Sequence, residues 1–524
     1  MTGARRLISR ILGVKSSRGV SFTLSFLSVL SKPFGYLRIL IIAWLFGASA
    51  IMDAFQLALG VISLFAGSIG GSMQSAVLPE LERVRKETGS AGKCRSLLAF
   101  SAWCAILMTA ILCAALFIAP GVMIRAFAGG FDAERIRYGA YMIWWLSPYA
   151  VVTMIAPIVA VWALFTERYV ASAVSSLPYN FILIPLLLLS APLIGEYAMG
   201  LSQSAASVIL LVITVIVIRG FPMRFKFSGL PLASLRRIGA NTLLVLAMTA
   251  TSMVYVVVDR YFASLLPVGA VSSISYGNML TTAFTSLAAA PFGFFFARIS
   301  RLVNEDREEA VSAVKQTLAI VSAYILPAGI LSSAAARPLV SLFLGWGNFG
   351  EEAVTMTSMS LTGYNISMAF SFFGMALGNY AQATQRLVRL LPLSYVMIGT
   401  NALLDWLMVR PLGVFGLALA TSLTTALSFT ATYLILIDRS IIRFLAQIRF
   451  FAQLAVLAPC GLAVYFSEPL GTAAQLVLLA AISVIYFIAG ERLGLMASVP
   501  EHWRPGALFN YVRNAGGGLL KKRG

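Results

Sequence analysis

The sequence predicts an all-α polytopic membrane protein, and three observations carry that prediction. Of its 524 residues 59% are hydrophobic and 11% charged, with a mean hydropathy of +0.87, whereas a soluble domain is about 25% charged. The apolar residues fall in long uninterrupted runs, not in the period-two alternation of barrel strands. Basic residues gather in the short breaks between runs. So little charge cannot cover a water-facing surface, which excludes a soluble enzyme, a secreted disulfide scaffold and a disordered chain.

The first run, 22–46, follows a basic stretch containing Arg5, Arg6, Arg10, Lys15 and Arg18. Ala48-Ser49-Ala50 mimics a peptidase site. The run is nevertheless far longer than the ~7–15-residue core of a signal peptide and is read as an uncleaved span. Cutting the rest at charged or Pro/Gly-rich breaks gives fourteen spans: 22–46, 51–79, 97–119, 139–164, 173–190, 199–218, 239–262, 271–297, 316–335, 354–380, 391–408, 414–436, 450–467 and 474–490. The expected organisation is a cytoplasmic N-terminus (1–21), an N-terminal six-helix lobe (22–218), a cytoplasmic linker (219–238), a C-terminal six-helix lobe (239–436), two appended helices (450–490) and a basic cytoplasmic tail (491–524).

Charge sets the orientation. With the N-terminus inside, the cytoplasmic segments hold 31 Lys and Arg, the opposite loops 5, and the spans the other three, Lys32, Arg38 and Arg260. One missed helix would invert every later loop, so the asymmetry supports both the count and cytoplasmic termini. The formal net charge of +19 reads as this bias and as attraction to anionic membrane lipid. No basic module suggests nucleic acid.

The chain also repeats itself. Gly47-Ala48-Ser49-Ala50-Ile51-Met52-Asp53-Ala54-Phe55 opens the second span, and Gly269-Ala270-Val271-Ser272-Ser273-Ile274-Ser275-Tyr276 opens the eighth, 222 residues later. Six spans separate them. An even number gives both halves the same orientation, related by a pseudo-twofold axis along the membrane normal. Two parallel bundles leave room for a cavity that opens to either side, the geometry of alternating access.

Ionisable groups inside spans cost at least about 2.5–3.5 kcal/mol on insertion scales and must face a cavity or a partner. Lys32 and Arg38 lie six residues apart in the first span, roughly 9 Å along its axis and on different faces. Lys32 can snorkel to the headgroups. Arg38 lies mid-span, and such a pair around Pro33 and Gly35 suits an anionic ligand, phosphate above all. Asp53 either caps the second span or serves as a counter-charge in gating. Asp259 and Arg260 form an interfacial pair or part of the same gating and ion-coupling apparatus. Asn401 and Asp405, four apart and so on one helix face, make a candidate cation or proton site.

Other motifs carry nothing. Gly345-Trp346-Gly347-Asn348-Phe349-Gly350 matches GxGxxG but joins two membrane helices with no preceding strand. No GxxxxGK[ST] occurs, so neither nucleotide nor cofactor is expected. The single histidine, His502, lies in the tail, and Cys94, Cys104, Cys113 and Cys460 have no metal-ligand spacing. No set of residues suggests an enzyme.

Ser31-Lys32-Pro33-Phe34-Gly35-Tyr36-Leu37-Arg38, then Phe46-Gly47 and Asp53-Ala54-Phe55, resembles the opening of the MurJ/MviN family. Ala76-Val77-Leu78-Pro79, Ser341-Leu342-Phe343 with Gly347-Asn348-Phe349, and Asn401 with Gly413-Val414-Phe415-Gly416-Leu417-Ala418 resemble later family stretches, some shared with the wider superfamily of polysaccharide exporters and multidrug antiporters. The resemblance implies a flippase of the bacterial inner membrane that moves a polyprenyl-diphosphate-linked glycan, lipid II in that family, alongside other cell-envelope glycan synthesis proteins. It maps family cavity cations onto Lys32 and Arg38 and a family acid onto Asp53. The sequence departs from the pattern at Ile39, Ile62-Ser63, Ala66, Gly70 and Met279, so two expected cations are absent. An exopolysaccharide or O-antigen flippase and an ion-coupled multidrug antiporter are the alternatives.

Overall fold

The computed structural model describes residues 33–168, 179–218, 220–222, 232–289, 293–437 and 441–507. Among them the regular structure is helical, with no β-strand. Among the described residues seven helices are long and apolar enough to cross a membrane, or up to eight if a bent pair is one span. The fold class is therefore all-α and polytopic, as composition requires. The count of fourteen rests on the sequence.

In chain order the helices are α1 (Pro33–Phe46), α2 (Ala50–Thr88), α3 (Ala91–Ile118), α4 (Pro120–Phe127), α5 (Ala133–Phe165), α6 (Tyr179–Ile194), α7 (Ala198–Ile218), α8 (Leu232–Ser264), α9 (Ala270–Ala289) and α10 (Gly293–Glu305). There follow α11 (Arg307–Ala334), α12 (Ala336–Leu344), α13 (Glu351–Ile366), α14 (Met368–Ala383), α15 (Leu391–Leu436), α16 (Ile441–Gln447), α17 (Phe450–Phe466) and α18 (Thr472–Arg492). Local chemistry sets several starts. Asp132 accepts the Arg135 N–H at 2.9 Å, and Asp306 accepts the Glu308 N–H at 2.8 Å, so each begins its helix as an N-cap. Residues Ser63–Gly67 of α2 form a π-helical turn, starting where the family resemblance expects Pro-Asn and this chain has Ile62-Ser63. Such widened turns concentrate at functional sites.

Two continuous helical stretches reverse direction. Ser190 and Ser202 hydroxyls meet at 2.9 Å across the turn between α6 and α7. Within α15, Gly413 has φ +57° and ψ −135°, a conformation that a side chain disfavours. A side chain on Gly416 would overlap the Met408 carbonyl. In a straight helix those residues would sit about 12 Å apart, so the chain folds back there, between the spans expected at 391–408 and 414–436.

The chain divides into two compact units, Met1–Ser272 and Ser273–Gly524. The boundary falls beyond the 219–238 linker because α8 packs along α2 in the first unit. In the second unit an aromatic core joins Phe370, Phe373, Phe429 and Tyr433, with Phe373 and Phe429 centroids 4.9 Å apart. Gln453 accepts the Ser322 hydroxyl at 2.7 Å and donates to the Leu495 carbonyl at 3.0 Å. That buried amide ties α17 and the segment after α18 to α11. The same segment sets Trp503 against Phe295, centroids 5.2 Å apart, and its carbonyl accepts the Tyr324 hydroxyl. The described part of the tail thus packs on the second unit.

Polar contacts sort the helix ends of each unit. In the first, Arg237 at the start of α8 binds Glu80, Arg85 lies over the Phe165 ring at 5.1 Å, and Arg168 donates to the Ile218 carbonyl. These are loops that the charge count puts inside. Asp53, Arg135, Ser264 and Gly269 form a second group, from loops expected outside. In the second unit Arg337 pairs with Glu351 and with Glu468, the latter at 3.2 Å, while Ser498 donates to the Gln447 carbonyl at 2.7 Å. Each unit groups its ends as alternation requires. The structure groups the ends; which group is cytoplasmic remains the reading of the charge count.

A cysteine at Glu351 or Glu468, in a background without the native cysteines, is expected to react with a membrane-impermeant maleimide on intact cells. One at Ser498 is expected to react only after permeabilisation. The opposite pattern would invert the orientation, and labelling of all three from one side would break the alternation.

Candidate functional site

Arg38 sits in the middle of α1, and its side chain lines a cavity of about 310 Å³ inside the first unit. The opposite walls come from Tyr149 on α5, Tyr179 on α6, and Gln203, Ser207 and Thr214 on α7. Spacings of four and seven put the three α7 residues on one face. Among the described residues every polar side chain in the lining other than Arg38 is neutral. No carboxylate forms an ion pair with Arg38 among the described residues. Its Nε is buried with no hydrogen-bond partner there, and the buried Tyr179 hydroxyl lies beside Ser207. Thr153, Ser207 and Thr214 donate back to carbonyls of their own helices at 2.7–2.8 Å, which leaves their oxygen lone pairs toward other groups. A cation without a counter-ion, surrounded by neutral hydrogen-bonding groups, is a place for an anion.

Lys32 lies outside the described residues. Asp53 is fully buried and does not cap its own helix. Its carboxylate accepts the Gly269 N–H at 2.7 Å, the Ser272 N–H at 2.7 Å and the Ser272 hydroxyl at 2.7 Å. Gly269 precedes α9 and has no side chain to cap it, so Asp53 supplies the cap from 216 residues away. Arg135, itself 7% exposed, approaches Asp53 at 4.0 Å and stacks over the Phe131 ring at 4.7 Å. The two segments that repeat, starting at Gly47 and Gly269, both have a positive-φ glycine (60° and 91°) before a helix. The acid of the first repeat caps the helix of the second.

Asp259 is buried on α8. Arg260 reaches across to α2, where Nη1 donates to the Gln56 carbonyl at 2.5 Å. A side chain on Gly60 would overlap that guanidinium, so the glycine makes the room. In the second unit Asn401 and Asp405 are fully buried and share a face, the amide donating to the carboxylate at 2.8 Å. Among the described residues no three His, Cys, Asp or Glu side chains come together as a metal site.

Sequence reading missed two features. Glu80, 5% exposed, takes a bidentate grip from Arg237, with Nε at 3.0 Å and Nη2 at 2.6 Å from Oε1, and Ser234 supports that guanidinium at 3.1 Å. Arg237 enters the charge count only as a loop cation, and Glu80 does not enter it. The other is the stripe of Gln203, Ser207 and Thr214, whose spacing was available in the sequence.

A family model described as lipid II flippase MurJ matches residues 42–489. A Burkholderia cenocepacia protein named lipid II flippase MurJ is 24% identical over 458 residues, covering 84% of this chain and 88% of its own. The solved structure of a lipid II flippase MurJ in an inward closed conformation is similar over 90% of this chain and 99% of its own, with TM-score 0.75 and 16% identity. A multidrug resistance MATE family transporter of the MOP superfamily, inward-facing, is similar over 79% of this chain and 95% of its own, with TM-score 0.61 and 14% identity. At these identities the structures speak to the fold alone.

Replacing Asp53 by Ala strips two backbone N–H groups of their acceptor at about 1–3 kcal/mol for each buried group left bare. The melting temperature of the purified protein is expected to fall by several degrees, with Asp53→Asn between the two. An unchanged melting curve for Asp53→Ala would remove the capping role.

Proposed function

Because this chain belongs to the lipid II flippase MurJ family, we propose that it carries a polyprenyl-diphosphate-linked glycan, lipid II first among the candidates, from the cytoplasmic to the outer leaflet of the bacterial inner membrane by alternating access. The observation that carries the reading is Arg38: a mid-span cation that lines a cavity and has no ion-pair partner among the described residues. Burying such a group costs several kcal/mol unless something answers its charge. A diphosphate answers it, and a guanidinium fork fits phosphate oxygens two at a time. The lipid tail needs no such site, because it can stay in hydrocarbon while the headgroup crosses. In this reading the protein is a carrier and performs no covalent chemistry.

Transport needs a direction, and the sequence has no nucleotide-binding loop, so an ion gradient, the membrane potential or consumption of the product supplies it. Asp259 and the Asn401–Asp405 pair are proposed for ion coupling, since buried carboxylates in apolar helices are costly to retain without use. The Asp53 cap and the Arg260 reach to Gln56 are proposed as contacts that make and break between states. Neutral residues at Ala66 and Met279, where the family resemblance expects cations, favour a second reading in which the cargo is another lipid-linked glycan.

In vesicles reconstituted with the purified chain, Arg38→Ala is expected to lower the translocation of lipid II at least about tenfold, the effect of losing one charge-assisted hydrogen bond. Arg38→Lys is expected to retain part of it, with folding of both checked by gel filtration. Normal transport by Arg38→Ala would end the diphosphate assignment. Transport of a different lipid-linked glycan in preference to lipid II by the parent chain would select the second reading.

A further inference from the structure

The walls facing Arg38 have their own chemistry. A diphosphate needs cations and N–H donors, and one arginine supplies those. What remains is two tyrosines, a glutamine amide and three aliphatic hydroxyls on three different helices. Phosphate does not call for aromatic faces, and a purely apolar tail does not call for an amide. A sugar ring calls for both: apolar C–H faces to lie against aromatic rings, and hydroxyl or amide groups around its edge. We propose that Tyr149, Tyr179, Gln203 and Thr214 form a subsite for the sugar residue attached directly to the diphosphate, and that they set the specificity of the carrier. This rests on the reading of Arg38 as the diphosphate ligand.

The cavity, about 310 Å³, lies at the small end of the ~300–1,000 Å³ range of ligand sites, which is room for a substituted hexose beside a phosphate.

Its state of hydrogen bonding points the same way. Ser207 and Thr214 spend their protons on the carbonyls of Gln203 and Leu210, so toward the cavity they present acceptors. The Tyr179 hydroxyl is buried beside Ser207, and Gln203 carries both a donor and an acceptor. A ligand edge that offers hydroxyl donors and an amide or hydroxyl acceptor meets every one of these needs. A bare phosphate, which only accepts, meets none of the acceptors. Sites built to hydrogen-bond a particular group discriminate strongly against analogues that lack it.

The test compares two probes in nanodiscs containing the purified full chain: a bare polyprenyl diphosphate, and the same lipid with one N-acetylhexosamine on the diphosphate. The parent protein is expected to bind the sugar-bearing lipid at least about tenfold more tightly. Gln203→Leu and Tyr149→Phe with Tyr179→Phe are expected to weaken the sugar-bearing lipid more than the bare one and so to reduce that preference to within about threefold. Gln203→Asn is expected to restore part of it. Arg38→Ala is expected to weaken both lipids alike. A parent chain with no preference for the sugar, or wall variants that keep the full preference, would overturn the sugar subsite and leave the diphosphate reading standing. Unchanged binding of the bare lipid by Arg38→Ala would overturn the diphosphate reading itself. If one wall variant fails to fold, the remaining ones decide by the same ratio.

Discussion

A charged or polar group within an apolar helix has to be answered by something other than water, and that requirement organises this protein. Arg38 is answered by a cavity instead of a carboxylate. Asp53 is answered by the open end of another helix. Glu80 is answered by a bidentate guanidinium, and Asn401 and Asp405 answer each other in part. Wherever the answer is protein, two helices are tied. Where it is space, a ligand has a place. The distinction separates groups tied to other helices from the one that faces a cavity.

The ties also explain how few residues set the packing of long, nearly featureless helices. Leucine and valine faces pack almost as well against lipid as against each other, so apolar contact alone fixes little in a membrane. A fully engaged carboxylate, by contrast, fixes rotation and depth together. Asp53 sets the start of α9 against the start of α2, and Glu80 sets α8 against the far end of α2. Between these two points α2 contains the π turn Ser63–Gly67, a place where a helix can change its winding without losing its ends. Arg260 meets α2 about two turns before it, at Gln56.

The fold was legible because hydrophobic runs and loop charge are properties of the chain read in one dimension. The insertion cost of Arg38 was legible for the same reason, since it does not depend on what surrounds the residue. What surrounds it was not. Asp53 looked like the cap of its own helix because the sequence shows only neighbours, and its real partner is 216 residues away. Glu80 and Arg237 lie 157 residues apart, and the charge count takes in only the arginine, as a loop cation. Gln203, Ser207 and Thr214 passed unnoticed for another reason. Serine and threonine hardly lower the mean hydropathy of a span, so the window that finds α7 hides its polar stripe. The reversal at Gly413 was read correctly because a Pro-Leu-Gly break interrupts the run there, while α6 and α7 needed the Ser190–Ser202 contact to show their pairing.

The absent cations at Ala66 and Met279 bear on how cargo is chosen. A cavity rich in arginine and lysine binds any diphosphate strongly, and its preference among glycans is then a small difference between large affinities. With Arg38 as the cation in view and the rest of the lining neutral among the described residues, the long-range attraction is weaker. Each hydrogen bond to the attached sugar becomes a larger share of the total. A buried donor or acceptor left bare costs more than a made bond gains, so the neutral walls act chiefly by rejecting headgroups that do not fit them. Such a carrier gives up affinity for polyprenyl diphosphates as a class and gains discrimination among the sugars they bear. The substitutions that set this chain apart from the family pattern are therefore coherent with a polar sugar pocket, since removing charge from the cavity is what gives neutral side chains the deciding share.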